Sequence, residues 1–112
     1  VATRYGCLMQ GTTKIALTVL DPLGYLDEIP ICIGYEIDGK VTDIFPNTRD
    51  CYKAKPVYKT MPGRKCDIRG IRQFEQLLEE AKNYIREIER LVGFPIGYVS
   101  NGPGREDLIQ MP

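Results

Sequence analysis

Apolar positions along the chain follow two rhythms, and each predicts a different kind of element. From about Phe74 to Val92, the residues Phe74, Leu77, Leu78, Ala81, Tyr84, Ile85, Ile88, Leu91 and Val92 recur at helical spacing. At about 3.6 residues per turn they share one face, while Glu79, Lys82, Asn83, Arg86 and Arg90 take the other. Acids crowd the early turns and arginines the later ones, as the helix dipole favours. Gly93 and Pro95 then supply a stop. This pattern predicts an amphipathic helix laid on a sheet.

The other rhythm is short and strand-like. Lys14 to Leu20 is a mostly apolar run suited to a strand buried on both faces of a parallel sheet. Ile29 to Ile37 is followed by Asp38-Gly39 and then by KVTDIF, which predicts a hairpin. Pro56 to Met61 ends at a Pro62-Gly63 turn. Ile96 to Val99 predicts a second buried strand after the long helix, and Leu108 to Met111 a short final one. Ala2 to Gly11 reads as the end of a helix feeding the first strand. The order predicts an α/β fold built on a mainly parallel sheet flanked by helices, with a β-hairpin excursion. Neither an internal repeat nor a low-complexity segment interrupts it.

Composition narrows the function classes. At 112 residues there is room for one modest domain, expected to occupy residues 1–112 as a single region. Fifteen basic residues balance fifteen acidic ones, so no global field favours nucleic acid or an anionic membrane. The apolar runs are well short of a membrane span. The chain opens on VATRYG with neither an initiator Met nor a signal peptide, which reads as a processed start or a piece of something longer. Four widely spaced cysteines, with no His in the chain, do not make a zinc pattern, and no metal ligands are expected. The apolar surroundings of Cys7 and Cys32 suit reduced, buried thiols, and a cytoplasmic location is expected. The basic cluster Arg64, Lys65, Arg69 and Arg72 reads as a solvated loop, with contact to a phosphate or a partner as the alternative.

Two stretches rise above scaffold, and both follow apolar strand candidates, where open α/β sheets hold their ligands. They are Thr18-Val19-Leu20-Asp21 and Ser100-Asn101-Gly102-Pro103-Gly104-Arg105. If the two strands are neighbours, the two loops form the walls of one pocket. Taken singly, each has a plainer reading. An aspartate after a strand caps a turn, and glycines serve a tight one. SNGPGR also lacks the Lys-Ser/Thr of a P-loop.

Several ordered motifs carry more than either loop alone. LDPLGYLDEIPICIGYEIDGK, PVYKTMPGRKCDI, EEAKNYIREIERLVGFPI and VSNGPGREDLI resemble, in the same order, the C-terminal part of the adenylosuccinate synthetase family. That family joins IMP and L-aspartate with GTP hydrolysis. The resemblance implies a P-loop NTPase-like architecture, a cytoplasmic purine-biosynthetic ligase, a homodimer, and neither nucleic-acid nor membrane binding. It implies that GTP is bound with Mg²⁺ in the complete enzyme and that the Mg²⁺ ligands lie outside this segment. By position, Val19, Leu20 and Asp21, with Ser100, Asn101 and Gly102, fall on the family's guanine-holding segments. The chemistry agrees: an ionised carboxylate only accepts hydrogen bonds, and guanine offers N1–H and its 2-amino group side by side. Adenine turns a bare lone pair toward the same place. At roughly 1.5–3 kcal/mol per charge-assisted bond, one aspartate selects guanine by on the order of a hundredfold.

Four positions depart from the family's usual residues. Val19 stands for Lys, Asn101 for Thr, Arg64 for Trp and Gly104 for Asp. The family's phosphate-binding loop, catalytic aspartate and histidine, and aspartate-binding loop lie upstream of this region. No catalytic residue is expected here, and the segment alone is expected to be inactive. An alternative is a free-standing guanine-nucleotide or protein-binding module derived from the ligase. Another is a scaffold in which Asp21 and Ser100 are turn residues only.

Overall fold

The computed structural model describes residues 1–63 and 67–112. Helix α1 (Ala2–Gln10) leads through Gly11, in the left-handed conformation, to strand β1 (Ile15–Leu17). A 3₁₀ turn at Asp21–Tyr25 precedes strand β2 (Glu28–Ile37), which folds back into β3 (Lys40–Thr42). The short helix α2 (Thr48–Cys51) is capped by the Asn47 side chain and precedes β4 (Lys55–Pro62). A second 3₁₀ turn (Phe74–Gln76), helix α3 (Glu79–Val92), strand β5 (Ile96–Ser100) and strand β6 (Leu108–Gln110) complete the order.

The strands form two sheets, with orders β1-β5-β6 and β3-β2-β4. Only β1 and β5 run parallel; β6 is antiparallel to β5, and the second sheet is antiparallel throughout. The expectation of a mainly parallel sheet is therefore corrected within the described residues to a small mixed sheet beside an antiparallel one. The reason is connection length. A parallel pair needs a long crossover, which the hairpin and α3 supply between β1 and β5. The short links from β2 to β3 and from β5 to β6 allow only a reversal. Asp38 (φ 52°) and Gly39 (φ 80°) are both left-handed, as a two-residue hairpin turn requires.

Helix α3 begins at Glu79 rather than at Phe74. Leu77 and Leu78 are extended, with ψ of 149° and 152°, so the backbone leaves one turn before it enters the next. Phe74 and Leu77 are buried all the same, because a spacing of three suits a 3₁₀ turn as well as a helix. The Arg86 guanidinium lies 4.9 Å from the Phe74 ring centroid and covers its outer face.

The core joins α3 to the mixed sheet. Ala81 and Ile85 of the helix meet Ile96 and Val99 of β5, Ile109 of β6, and Leu20, Ile68, Phe74 and Leu77 from the connections. At about 25 cal/mol per Å² of apolar surface removed from water, each large side chain here contributes roughly 1.5–3 kcal/mol. The antiparallel sheet has little of this: in β2 only Ile29 and Gly34 are buried. Its projection shows in a radius of gyration of 15.4 Å, against about 13 Å for a compact domain of this length. The sheet is tied back by ions, with Glu87 of α3 accepting from Lys59 of β4 at 2.7 Å and from Arg90 at 2.9 Å.

Cys7 and Cys32 are half-buried free thiols rather than buried ones, because α1 and β2 each expose one side; Cys51 is an exposed free thiol. Cys66, Arg64 and Lys65 lie outside the described residues. The two described members of the basic cluster are each paired: Arg69 with Asp67 and Arg72 with Asp107. No helix among the described residues is long and apolar enough to cross a membrane.

Arg90 and Lys59 together hold the Glu87 carboxyl at about 2, below its ordinary value of 4.5. The unfolded chain therefore takes up this proton first on acidification. The stability from this carboxylate is complete above pH 4.5 and is lost as pH falls toward 2. Urea unfolding should show that Glu87→Gln reduces the difference in stability between pH 6 and pH 3, by up to about 1 kcal/mol for so exposed a network. An unchanged difference would contradict the assignment.

Candidate functional site

The local backbone after β1 creates the site. The predicted strand through Leu20 ends at Leu17, because Val19 adopts φ 62°. This is an unusual conformation for a β-branched residue, and it swings the Val19 side chain into solvent at 62% exposure. The chain then recovers. Leu20 drops into the core, and its N–H donates to the Ser100 carbonyl at 3.1 Å, past the last paired residues of β1 and β5. Asp21 follows as the first residue of a 3₁₀ turn whose start no side chain caps.

The facing loop is wound around a carboxylate. Asp107 Oδ2 accepts from the Gly104 N–H at 2.7 Å, and the Asn101 N–H donates to the Asp107 carbonyl at 3.1 Å. A Cβ at Gly102 would collide with that carboxylate, so only glycine lets the loop close so tightly. The Ser100 hydroxyl donates to the Gly102 carbonyl at 2.9 Å, which folds the loop across the end of β5.

Thr18, Val19, Asp21, Ser100, Gly102 and Pro103 thereby line one open cleft of about 410 Å³. It sits at the C-terminal ends of the two parallel strands, the position predicted from sequence. Of the six expected site residues, Val19, Asp21, Ser100 and Gly102 are brought together in its wall. Leu20 and Asn101 are not. Their side chains are buried, at 1% and 0% exposure, and support the wall from below. Thr18 and Pro103 line the cleft without having been singled out, although both belong to the two motifs.

One charged pair beside the cleft carries no signature in the sequence. Asp67 accepts from Arg69 at 2.8 and 3.0 Å and from its backbone N–H at 2.9 Å. The Arg69 guanidinium, the larger influence, holds the Asp67 carboxyl at about 2. Arg69 itself is raised, first by Asp67 and then by the weaker fields of Tyr25 and Asp21, which puts a cation within electrostatic reach of the cleft's carboxylate. Among the described residues no group of three or more Cys, Asp or Glu side chains converges to hold a metal, so none is assigned to Mg²⁺.

The profile of the adenylosuccinate synthetase family matches residues 1–109. The chain belongs to this family. It is 44% identical to the adenylosuccinate synthetase of Mycobacterium bovis over 110 residues, which is 97% of this chain and 26% of that protein. It is 46% identical to the enzyme of Desulfatibacillum aliphaticivorans over 100 residues, 88% of this chain and 23% of that protein. The fold is similar to that of fully ligated adenylosuccinate synthetase from Plasmodium falciparum, with a TM-score of 0.91 at 31% identity over 97% of this chain and 27% of that one. The chain thus spans about a quarter of the length of these relatives. Adenylosuccinate synthetases are purine-biosynthetic ligases that use GTP and Mg²⁺.

The strain at Val19 gives a direct test. A β-branched side chain in the left-handed region costs on the order of 1 kcal/mol or more, whereas Asn tolerates it. Because Val19 packs against little, Val19→Asn should raise the urea midpoint by an amount equivalent to about 1 kcal/mol. A lower midpoint would mean that the exposed side chain contributes more than its backbone costs.

Proposed function

We propose that residues 1–112 are the C-terminal, guanine-recognising part of an adenylosuccinate synthetase. The observation that carries this is the meeting of Val19 and Asp21 with Ser100 and Gly102 in one cleft at the ends of neighbouring parallel strands. The complete protein would form adenylosuccinate from IMP and L-aspartate with GTP hydrolysis, as a homodimer. Phosphate and Mg²⁺ binding would belong to parts of that protein outside this segment, as would any histidine-dependent step, since the chain contains no His. This segment alone would be inactive.

In the cleft, Asp21 accepts from guanine N1–H and the 2-amino group together. The plane of the base lies against the exposed Val19 side chain, an apolar contact where the family resemblance implies a lysine stem. The Ser100–Gly102 backbone closes the other side. Arg69, anchored by Asp67, adds a positive field on the same side of the cleft as Asp21.

Asp21→Asn in the complete protein tests the assignment. An Asn retains one acceptor but turns a donor toward the 2-amino group. GDP affinity should fall about tenfold to a hundredfold. Xanthosine diphosphate, which carries a 2-oxo group, should gain relative to GDP. Unchanged GDP affinity by calorimetry would return Asp21 to the role of a turn residue.

A further inference from the structure

The surroundings of Asn101 show what its side chain does. The side chain is completely buried. Its Nδ2 donates to two carbonyls of one turn, Ile68 at 2.8 Å and Ile71 at 2.9 Å. Carbonyls only accept, so this orientation of the amide is the only one that satisfies both. The turn is closed by the Ile71 N–H on the Ile68 carbonyl at 3.2 Å, and it presents Arg69 at its tip. Asn101 Oδ1 has no hydrogen-bond partner among the described residues.

A second tie runs parallel to the first. Arg72, just past the turn, pairs with Asp107 Oδ1 at 2.9 Å, and Asp107 is the carboxylate around which the cleft loop is wound. The segment 67–72 and the loop 101–107 are therefore fastened at two points. Threonine at position 101 has one hydroxyl donor and cannot bridge two carbonyls.

We propose that Asn101 is a positioning residue, whose bridge to the Ile68–Ile71 turn holds the Ser100–Pro103 wall in the register that lets the cleft distinguish a 2-amino group. This rests on the guanine reading above. Two hydrogen bonds accepted by one carboxylate reward the base only while the base cannot slide. A wall that is already ordered spares the ligand the entropy of ordering it.

The test is the ratio of GDP to IDP affinity in the complete protein, since IDP differs by the 2-amino group alone. In the unaltered protein the ratio should be tenfold or more. Asn101→Ala should weaken GDP at least tenfold and IDP less, so that the ratio falls several-fold at temperatures where the variant remains folded. A purely structural role would lower the melting temperature and leave the ratio intact, which overturns the inference. If Asn101→Ala does not fold, Asn101→Ser, with one donor in place of two, should give a ratio between the two extremes. An unaltered ratio in folded Asn101→Ser overturns the inference as well. A ratio near one in the unaltered protein would instead overturn the guanine reading itself, so the two failures are distinguishable.

Discussion

The hydrogen bond from the Leu20 N–H to the Ser100 carbonyl, 3.1 Å long, is the constraint from which the site's geometry follows. It lies beyond the last ladder pairs of β1 and β5, after the chain has looped out through Val19. Without it the loop after β1 would have no fixed height above the sheet. With it, Leu20 is drawn into the core, Val19 is pushed outward, and Asp21 opens a 3₁₀ turn facing Ser100 and Gly102. The strain of a left-handed valine is held by the burial of its neighbour. Local backbone strain of this kind persists where the surroundings over-determine it.

Support for that geometry comes from below the cleft rather than from within it. Ile85 of α3, Val99 of β5 and Ile109 of β6 are fully buried under the two loops, and Ile68 joins them from the segment that Asn101 holds. A well-packed apolar floor and a bridged turn make the walls stiff, and the open cleft is left to small polar and apolar groups. The antiparallel sheet contributes little to this floor. An ion pair between Lys59 and Glu87 links it to α3.

Much of this was legible in the sequence because it depends on local rules. The hairpin followed from Asp38-Gly39, and the end of α3 from Gly93, which is left-handed as expected. The meeting of the two loops was expected only if the two apolar runs are neighbouring strands; β1 and β5 do pair, and Asp21 and Ser100 line one cleft. What escaped was decided by tertiary contacts. Helix periodicity could not separate Phe74 and Leu77 from α3, since a 3₁₀ turn buries the same spacing. A strand through Leu20 was natural for apolar residues, and only the Ser100 carbonyl explains why Val19 turns out while Leu20 turns in. Asn101 looked like a ligand contact by position. The depth of the core beside it, invisible in one dimension, buries its side chain and turns it toward the Ile68 and Ile71 carbonyls.

The most direct measurement is a crystal structure of the complete protein with GDP bound. Guanine recognition predicts the base in the cleft between the Thr18–Asp21 and Ser100–Pro103 loops. Both Asp21 carboxylate oxygens should then lie within hydrogen-bond distance of N1 and the 2-amino nitrogen. A base seated elsewhere, or an Asp21 turned away from it, would contradict the account.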